Sequence, residues 1–423
     1  MQIELINTGS ELLLGRVLNT HQQWIGKKLA DAGYILSSQV TVPDTAESIC
    51  DAVQKALGRA DLVITTGGLG PTSDDITRER ISAQFNKPLQ KNEAIVEHIT
   101  SFFAQRKRPM PESVLVQALV PEGALVFQNK YGTAPGLAMS IPSERSNIGN
   151  SQPWLVMLPG PPRELRPMVE TYLLPFIQQQ FPLKEEFHCR TLRSTGIGES
   201  MVEDLLLENL RPLMEQGLDL GFCARTGQVD IRLCGYGPEI LQKIAKAESL
   251  IRREIGKYIY GTDDDSIEKS VVDRLIAKAQ TIAVAESCTG GFLGHHITSI
   301  PGASKVFLGG FLTYSNKLKE KVLGVGSGTL GKYGAVSKEV SIEMAEGARL
   351  KSEADHALSI TGIAGPEGGT EDKPVGTVWL GLSSIGRKPI AIKKFHPYDR
   401  GTFKQATVNQ ALELIRRRLF QDK

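Results

Sequence analysis

The 423-residue sequence predicts an α/β protein of three domains, because its pattern of strands and helices changes twice along the chain. From residue 1 to about 170, short apolar runs alternate with helix-period segments, the rhythm of β-α-β units around a parallel sheet. From about 181 to 261, strands and helices pair as in a small α+β module. After the acidic linker GTDDDS the α/β rhythm returns. We therefore divide the chain into domains 1–170, 171–261 and 262–423.

The elements of the first domain follow from apolar runs and helix signals. Strands are predicted for the runs IELINTG, YILSSQVTV, DLVITTGG and WLVMLPG. Helices are predicted from Thr20 to Ala32 and from Ala46 to Leu57. The segment PGPPREL opens a further helix that reaches about Gln180, since proline is tolerated in a first helical turn. The Ser- and Asn-rich stretch from Ser143 to Gln152 is predicted to be an exposed loop.

The other two domains are assigned from the same signals. In the second, we predict strands at FHCRTLRSTG, LDLGFCART and VDIRLCGYG, and helices from Ser200 to Leu210 and from Glu239 to Lys257. In the third, a helix from Ile267 to Lys278 precedes the strand TIAVAES. Further third-domain strands are predicted at KVFLGGFLTYS, HALSITGIAG, TVWLGLSS and IAIKKFH, with helices from Val336 to Leu350 and from Thr402 to Phe420.

Composition narrows the class of protein. With 41% hydrophobic and 23% charged residues, the chain lies near the globular average. Its net charge of +2 includes no long block of one sign, so we expect no nucleic-acid partner. Five scattered cysteines imply neither a disulfide framework nor a zinc site. Without a signal-peptide pattern or an apolar stretch of membrane length, we expect a cytoplasmic protein with no membrane contact.

The segment AVAESCTGG holds the first candidate site. Ser287 lies where an apolar strand ends and the pair Gly290 and Gly291 begins, so the turn can expose its oxygen. The glycines let main-chain N–H groups approach a substrate oxygen. Spacing alone leaves a second interpretation equally open, in which Ser287 or Thr289 caps the next helix. Cys288 is intrinsically the better nucleophile, but a buried cysteine is usually inert packing.

Downstream, Tyr314, Lys317 and Lys319 follow a strand into a helix start. By base rate, two lysines there lie on a solvated helix face. A lysine close to a serine hydroxyl acts as a general base only if desolvation or a neighbouring cation lowers its pKa. The glycine-rich loop 359–379 adds main-chain donors that suit a phosphate or an oxyanion, which is by itself a weak signal.

The strongest feature of the first domain is DLVITTGGLGPTSDDITRE, a strand, a glycine-rich turn and a polar helix start. Such a turn suits a phosphate-bearing ligand. Asp74 and Asp75 would repel phosphate unless a divalent cation lay between, and oxygen ligands suit magnesium or manganese. Alternatively, Ser73, Asp74 and Asp75 only cap the helix; we favour metal binding. The candidate phosphate-binding residues are Gly67, Gly68, Gly70, Thr72 and Ser73.

Four C-terminal motifs together resemble one family. AESCTGG, YSNKLKEKVLGV, GAVS and TGIAGPEGGTEDKPVGTV are similar to the C-terminal domain of CinA proteins, over essentially all of residues 261–423. That domain also exists alone as a nicotinamide-mononucleotide deamidase. The resemblance implies a catalytic pair, Ser287 and Lys319, with ammonia and nicotinic acid mononucleotide as products and no cofactor. It further implies pocket residues Tyr314, Thr361 and Arg400 with Ser304 nearby, and an oxyanion held near Gly290 and Gly291.

The first domain resembles a second known fold. TGSELLLGRVLNTH, VPD, GGLGPTSDD and LPGPPREL are similar to the molybdopterin-binding-like three-layer α/β fold of MoaB, MogA and MoeA, in the variant carried by CinA proteins. In some CinA proteins this domain is a metal-dependent ADP-ribose pyrophosphatase that yields AMP and ribose 5-phosphate. The resemblance implies a divalent metal (Mg, Mn or Co). Its candidate ligands are Asp74 and Asp75, with Glu11 and Asp44 as weaker additions.

The middle module, with TGIGES and VDIRLCGYG, resembles the small KH-like domain of full-length CinA proteins. A KH module that binds nucleic acid needs a G-x-x-G loop, and Gly217 and Gly221 are separated by three residues. We therefore expect a spacer or a dimer contact, and a homodimer overall. The rival to a two-activity hydrolase is a competence- or damage-associated protein whose first domain binds a ligand without catalysis.

Overall fold

The computed structural model describes residues 1–142 and 152–421. The predicted loop at 143–152 therefore lies outside the described residues, apart from Gln152. The chain divides into two compact units, Met1–His188 and Cys189–Lys423. Across the described ranges, no helix is both long and apolar enough to cross a membrane.

A six-stranded sheet runs through the first unit. Strands β1, β2, β3 and β8 are parallel, and β7 and β6 continue the sheet in antiparallel pairing, in the order β2-β1-β3-β8-β7-β6. Strands β1 and β3 are buried along their whole length because helices cover both faces of a parallel sheet. The strands are β1 (Ile3–Thr8), β2 (Leu36–Val42), β3 (Leu62–Thr66), β4 (Leu89–Lys91), β5 (Leu119–Pro121), β6 (Leu125–Phe127), β7 (Gly136–Ser140) and β8 (Trp154–Leu158), with β4 and β5 paired separately.

Helices enclose this sheet from both sides. The helices are α1 (Ser10–Leu13), α2 (His21–Asp31), α3 (Ala46–Leu57), α4 (Thr77–Gln84), α5 (Glu93–Gln105), α6 (Pro162–Met168) and α7 (Leu174–Gln180). Apolar side chains of α3, α4 and α5 form one core, and those of α2, α6 and α7 form another. A 3₁₀ turn spans Glu112–Ala118, and a π-helical turn, Val169–Leu173, joins α6 to α7. The predicted three-layer α/β arrangement of the first domain is confirmed.

The helical run after β8 extends the first unit beyond the expected boundary at residue 170. Leu173, Phe176 and Ile177 are buried in the core formed with α2, so α7 packs on the first domain. The burial of these three side chains is what keeps this segment in the unit that ends at His188.

The middle module is a four-stranded sheet, in the order β10-β11-β9-β12, with two helices on one face. Helix α8 continues four residues past the predicted end at Leu210, through Pro212. Pro212 lacks the N–H that would continue the hydrogen-bond ladder here, while the next residue, Leu213, is buried in the core of the module. The elements are β9 (Phe187–Thr195), β10 (Asp219–Arg225), β11 (Gln228–Tyr236), β12 (Ile259–Thr262), α8 (Glu199–Met214) and α9 (Ile240–Ile255), with a 3₁₀ turn at Gly256–Tyr258.

The third domain is again three-layered. Its strands are β13 (Ile282–Glu286), β14 (Phe307–Leu312), β15 (His356–Gly362), β16 (Thr377–Ser384) and β17 (Arg387–Phe395), in the order β14-β13-β15-β16-β17. Side chains of the interior strand β13 alternate between two cores, one with α10, α11 and α15 and one with α12, α13 and α14. The helices are α10 (Ile267–Ala277), α11 (Phe292–Thr298), α12 (Asn316–Leu323), α13 (Ser327–Tyr333), α14 (Lys338–Ser352) and α15 (Arg400–Gln421), and a 3₁₀ turn spans Ala303–Lys305.

Candidate active site

Ser287 lies at the carboxyl edge of the third-domain sheet, directly after β13. The parallel neighbour β14 ends at the same edge, so the chain that follows each strand meets the other. After Ser287 the turn needs two left-handed residues, Gly290 with φ 63° and Gly291 with φ 97°. Only glycine adopts this conformation without strain, which explains the glycine pair.

Lys319 reaches this edge from the first turn of α12. Its Nζ lies 3.0 Å from Oγ of Ser287, 2.7 Å from the carbonyl oxygen of Thr313 and 3.1 Å from that of Tyr314. Its side chain is 1% exposed and that of Ser287 is 8% exposed. The expectation of a solvated helix face therefore holds for Lys317, which is exposed, and is wrong for Lys319.

The surroundings of Lys319 suit a neutral amine. Burial lowers the pKa of Lys319 because the charged form loses its hydration. A neutral amine has two N–H donors and one lone pair. The two N–H groups match the carbonyls of Thr313 and Tyr314, which leaves the lone pair to accept the hydroxyl proton of Ser287. The arrangement can therefore act as a nucleophile and its general base.

Cys288 does not compete for this role. Its side chain packs into the core shared with α10 and α15. Burial raises the pKa of the Cys288 thiol to about 12, so the thiol stays protonated at neutral pH. Because the thiolate is the reactive form, the geometry favours the serine.

Glu286, which the sequence analysis did not single out, holds the turn after β13. Its side chain is 1% exposed, and its carboxylate accepts the N–H groups of Gly291 (3.1 Å), Leu293 (3.1 Å) and Gly294 (2.8 Å). The alternative that Ser287 or Thr289 caps α11 is therefore wrong, since Glu286 takes that role. The only sequence signal was a carboxylate at the end of an otherwise apolar strand.

The N–H groups of the glycine pair are already bonded within the turn. Gly290 donates to the carbonyl of Ser287 (3.1 Å), and Gly291 donates to Glu286. Neither N–H is free to hold an oxyanion. The oxyanion that we expect near this glycine pair is therefore not held by the N–H groups of Gly290 and Gly291 themselves.

The other expected pocket residues differ in their relation to the pair. Tyr314 is 65% exposed and contributes its carbonyl to Lys319. The guanidinium of Arg400 donates to the carbonyl of Gly365 in the glycine-rich loop (2.8 Å). Its positive charge lowers the pKa of the Cys288 thiol, against the larger effect of burial. Thr361 is buried and donates to the carbonyl of Ala335 (2.8 Å). Ser304 is exposed in the 3₁₀ turn, and no hydrogen bond joins it to Ser287 or Lys319 within the described chain.

A cleft of about 380 Å³ in the first unit collects most of the residues predicted there. Its walls include the glycine-rich turn, Gln117 and Glu164. A Cβ at Gly68 would lie 2.0 Å from Oγ1 of Thr77, so this turn packs against the start of α4 too closely for any side chain. The cleft is lined by the predicted residues Glu11, Asp44, Gly67, Gly68, Gly70, Asp74 and Asp75, whereas Thr72 and Ser73 lie outside its lining.

The acidic pair does not begin a helix, contrary to expectation. Helix α4 starts at Thr77, and no side chain caps it. Asp75 instead accepts the N–H of Thr72 (3.0 Å) and the Thr72 hydroxyl, which closes a tight turn. The capping interpretation is therefore wrong for these carboxylates.

The predicted metal ligands Glu11, Asp44, Asp74 and Asp75 are carboxylates, which suit a divalent cation. Their side chains, however, do not converge on one point. Among residues 1–142 and 152–421, no group of three or more Asp, Glu, His or Cys side chains converges as a metal site. The carboxylate of Asp44 accepts the N–H of Ser10 (2.8 Å), and that of Asp75 is held by Thr72. The predicted ligands share one cleft without forming a coordination shell.

Comparison with known families gives the class of protein. Three family models match the chain: "Probable molybdopterin binding domain" over residues 4–179, "Damage-inducible protein CinA KH domain" over 189–261, and "CinA C-terminal domain" over 264–419. The protein thus joins a molybdopterin-binding-like domain, a KH domain and a CinA C-terminal domain. In the KH domain, Gly221 lies inside β10 and Gly217 precedes that strand, so the two glycines do not share a loop.

Two relatives align with nearly the whole chain, and a solved structure aligns with part of it. A CinA-like protein of Akkermansia muciniphila is 42% identical over 97% of this chain and 96% of its own. A CinA-like protein of Kosmotoga olearia is 41% identical over 99% of each chain. The crystal structure of competence/damage inducible protein CihA from Agrobacterium tumefaciens is 37% identical over 36% of this chain and 94% of its own, with a TM-score of 0.34. The chain belongs to the CinA family.

Proposed function

We propose that the third domain hydrolyses the carboxamide of nicotinamide mononucleotide to nicotinic acid mononucleotide and ammonia. The observation that carries this proposal is the buried contact of 3.0 Å between Nζ of Lys319 and Oγ of Ser287. The substrate follows from the resemblance to the stand-alone deamidases of the family. An amide is a fitting target, since a serine with a neutral amine base performs acyl transfer.

The proposed reaction has two halves. Lys319 takes the proton of Ser287 as its oxygen attacks the carboxamide carbon, and then gives that proton to the leaving amine, which departs as ammonia. A water molecule next attacks the ester on Ser287 with Lys319 again as base, which releases the carboxylate. Arg400 is the proposed ligand of the substrate phosphate, because a guanidinium binds phosphate in a fixed, bidentate geometry. The proposed deamidation needs no metal or cofactor.

The test of this proposal is the release of products by the purified full-length chain. We expect ammonia and nicotinic acid mononucleotide in equal amounts from nicotinamide mononucleotide, without added metal. Nicotinamide riboside, which lacks the phosphate, should react with a higher KM. Absence of ammonia at micromolar enzyme would refute the proposed activity and favour a ligand-binding role in competence or damage responses.

A second activity, ADP-ribose pyrophosphatase, is proposed for the first unit. It is favoured by the cleft, which is lined both by the glycine-rich turn and by Glu11, Asp44, Asp74 and Asp75. We expect AMP and ribose 5-phosphate from ADP-ribose only with added Mg²⁺, Mn²⁺ or Co²⁺, and a loss of AMP on Asp74→Asn with Asp75→Asn. AMP formation in the presence of a chelator would contradict the metal requirement. No AMP under any condition would leave a molybdopterin-like binding domain without catalysis.

A further inference from the structure

The main-chain N–H groups of the turn after β13 differ in whether they have an acceptor, although nearly every buried N–H in a protein has one. The N–H of Ser287 donates to the carbonyl of Ile360 (3.0 Å), and that of Gly290 donates to the carbonyl of Ser287 (3.1 Å). The N–H of Gly291 donates to the carboxylate of Glu286 (3.1 Å). Three of the five N–H groups in residues 287–291 are thus occupied.

The two remaining N–H groups belong to Cys288 and Thr289, directly after the nucleophile. Within the described chain, neither donates to another residue. Both residues are buried, and the hydroxyl of Thr289 also has no hydrogen-bond partner. Two adjacent N–H donors that have no acceptor on another described residue therefore follow Ser287 directly in the chain.

We propose that the N–H groups of Cys288 and Thr289 form the oxyanion hole of this site, and that Glu286 is the positioning residue that keeps them free. This inference rests on the amide hydrolysis proposed above and names the groups that stabilise its transition state. A donor on the residue after a nucleophile is a recurrent solution where a serine follows a strand in a sharp turn.

The N–H groups of Cys288 and Thr289 act when Ser287 attacks the carboxamide. Oγ of Ser287 bonds to the carboxamide carbon, its proton passes to Nζ of Lys319, and the carbonyl π pair moves to the substrate oxygen. Cys288 and Thr289 donate to that negative oxygen. As the oxygen pair returns, the C–N bond breaks, and the amine takes the proton from Lys319 and leaves as ammonia.

Glu286 connects both halves of this machinery. Its carboxylate accepts three N–H groups at the start of α11, which holds the turn in place. The turn therefore cannot rotate to give the N–H groups of Cys288 and Thr289 an acceptor. The carbonyl of Glu286 accepts the N–H of Thr313 (2.9 Å), and the carbonyl of Thr313 accepts from Lys319 (2.7 Å). The same residue thus fixes the serine turn and the segment that holds the base.

The test uses Glu286→Gln in the full-length chain, with Glu343→Gln as the matched control. Glu343 accepts the N–H of Gly326 (2.8 Å) and the hydroxyl of Thr329 (2.7 Å) at the start of α13, so it has a similar capping role away from Ser287. Ammonia release is measured from nicotinamide mononucleotide and from its thioamide analogue, whose sulfur is a weak hydrogen-bond acceptor. The rates without enzyme correct for the intrinsic difference between the two substrates.

We expect the wild-type chain to use the thioamide about tenfold or more less well, in kcat/KM, than the amide. Glu286→Gln should lower kcat on the amide on the order of 10²-fold with little change in KM, as the loss of an oxyanion donor does. The preference for oxygen over sulfur should shrink in this variant and stay unchanged in Glu343→Gln. If Glu286→Gln does not fold, Glu286→Asp, which keeps the charge on a shorter side chain, serves in its place.

Other results of these measurements would overturn the oxyanion hole, the role of Glu286 or the proposed function. Equal use of amide and thioamide by the wild-type chain would overturn the oxyanion hole. Unchanged kcat in Glu286→Gln, or an equal loss on both substrates, would show that Glu286 only caps α11. No ammonia from the amide with the wild-type chain would overturn the proposed function itself, and this inference with it.

Discussion

Replacing Lys319 tests the chemistry of the buried pair in the third domain. A lysine with the ordinary pKa of 10.5 is neutral in about one molecule in a thousand at about pH 7.5. Burial lowers the pKa of Lys319, and each unit of lowering raises the neutral fraction about tenfold. Because a general base contributes about 10²–10⁴-fold to a rate, we expect Lys319→Met to lower kcat by that factor. Lys319→Arg should lose as much, since a guanidinium keeps its proton.

The assay is ammonia release from nicotinamide mononucleotide between about pH 5 and pH 10.5, an interval that includes the expected titration of Lys319. The base must be deprotonated, so kcat/KM should rise with pH through the lowered pKa of Lys319 and reach its plateau below the ordinary value of 10.5. The control is Lys317→Met, an exposed lysine on the same helix, which should match the wild type. Activity retained in Lys319→Arg, or a rise only near pH 10.5, would refute the neutral-amine assignment.

Three further changes probe the remaining assignments. Cys288→Ala should keep kcat within about threefold, and alkylation near pH 8 should label the exposed Cys223 while the buried Cys288 stays unmodified; loss of activity would make the thiol the nucleophile. Arg400→Ala should raise the KM for nicotinamide mononucleotide about tenfold or more and leave nicotinamide riboside unaffected, whereas equal effects on both would exclude a phosphate contact. Gly68→Ala should lower the unfolding midpoint of the first unit by more than Gly15→Ala does. Both glycines have a φ of 67°, but a Cβ at Gly68 would lie 2.0 Å from the Thr77 hydroxyl, whereas Gly15 has open space around it. Equal shifts of the midpoint would show that the close packing at Gly68 is relieved.

The sequence predicts elements well where local signals agree with the packing. The helix Ala46–Leu57 has the expected bounds because Thr45 caps it and its apolar residues recur on one face. The expected helix start at residues 72–75 is wrong because Asp75 closes a turn with Thr72 and the helix begins at Thr77. An aspartate before a helix looks the same in sequence for either role.

The site is less predictable because it depends on contacts distant in sequence. Ser287 and Lys319 are 32 residues apart, and only the parallel pairing of β13 with β14 brings them together. Lys319 is also buried, against the usual exposure of lysine. Glu286 was missed because its acceptor role at α11 does not follow the capping-box spacing. In the first unit, spacing indicated the cleft but not whether its carboxylates converge.

The central claim is that Ser287 performs amide hydrolysis with Lys319 as its base. The most direct measurement compares ammonia release from nicotinamide mononucleotide by the wild-type chain and by Ser287→Ala, with folding checked by thermal unfolding. The alanine removes only the hydroxyl, and we expect a loss of about 10³-fold or more in kcat, since covalent catalysis cannot begin without the oxygen. Ammonia release by Ser287→Ala within about tenfold of the wild-type rate would contradict it.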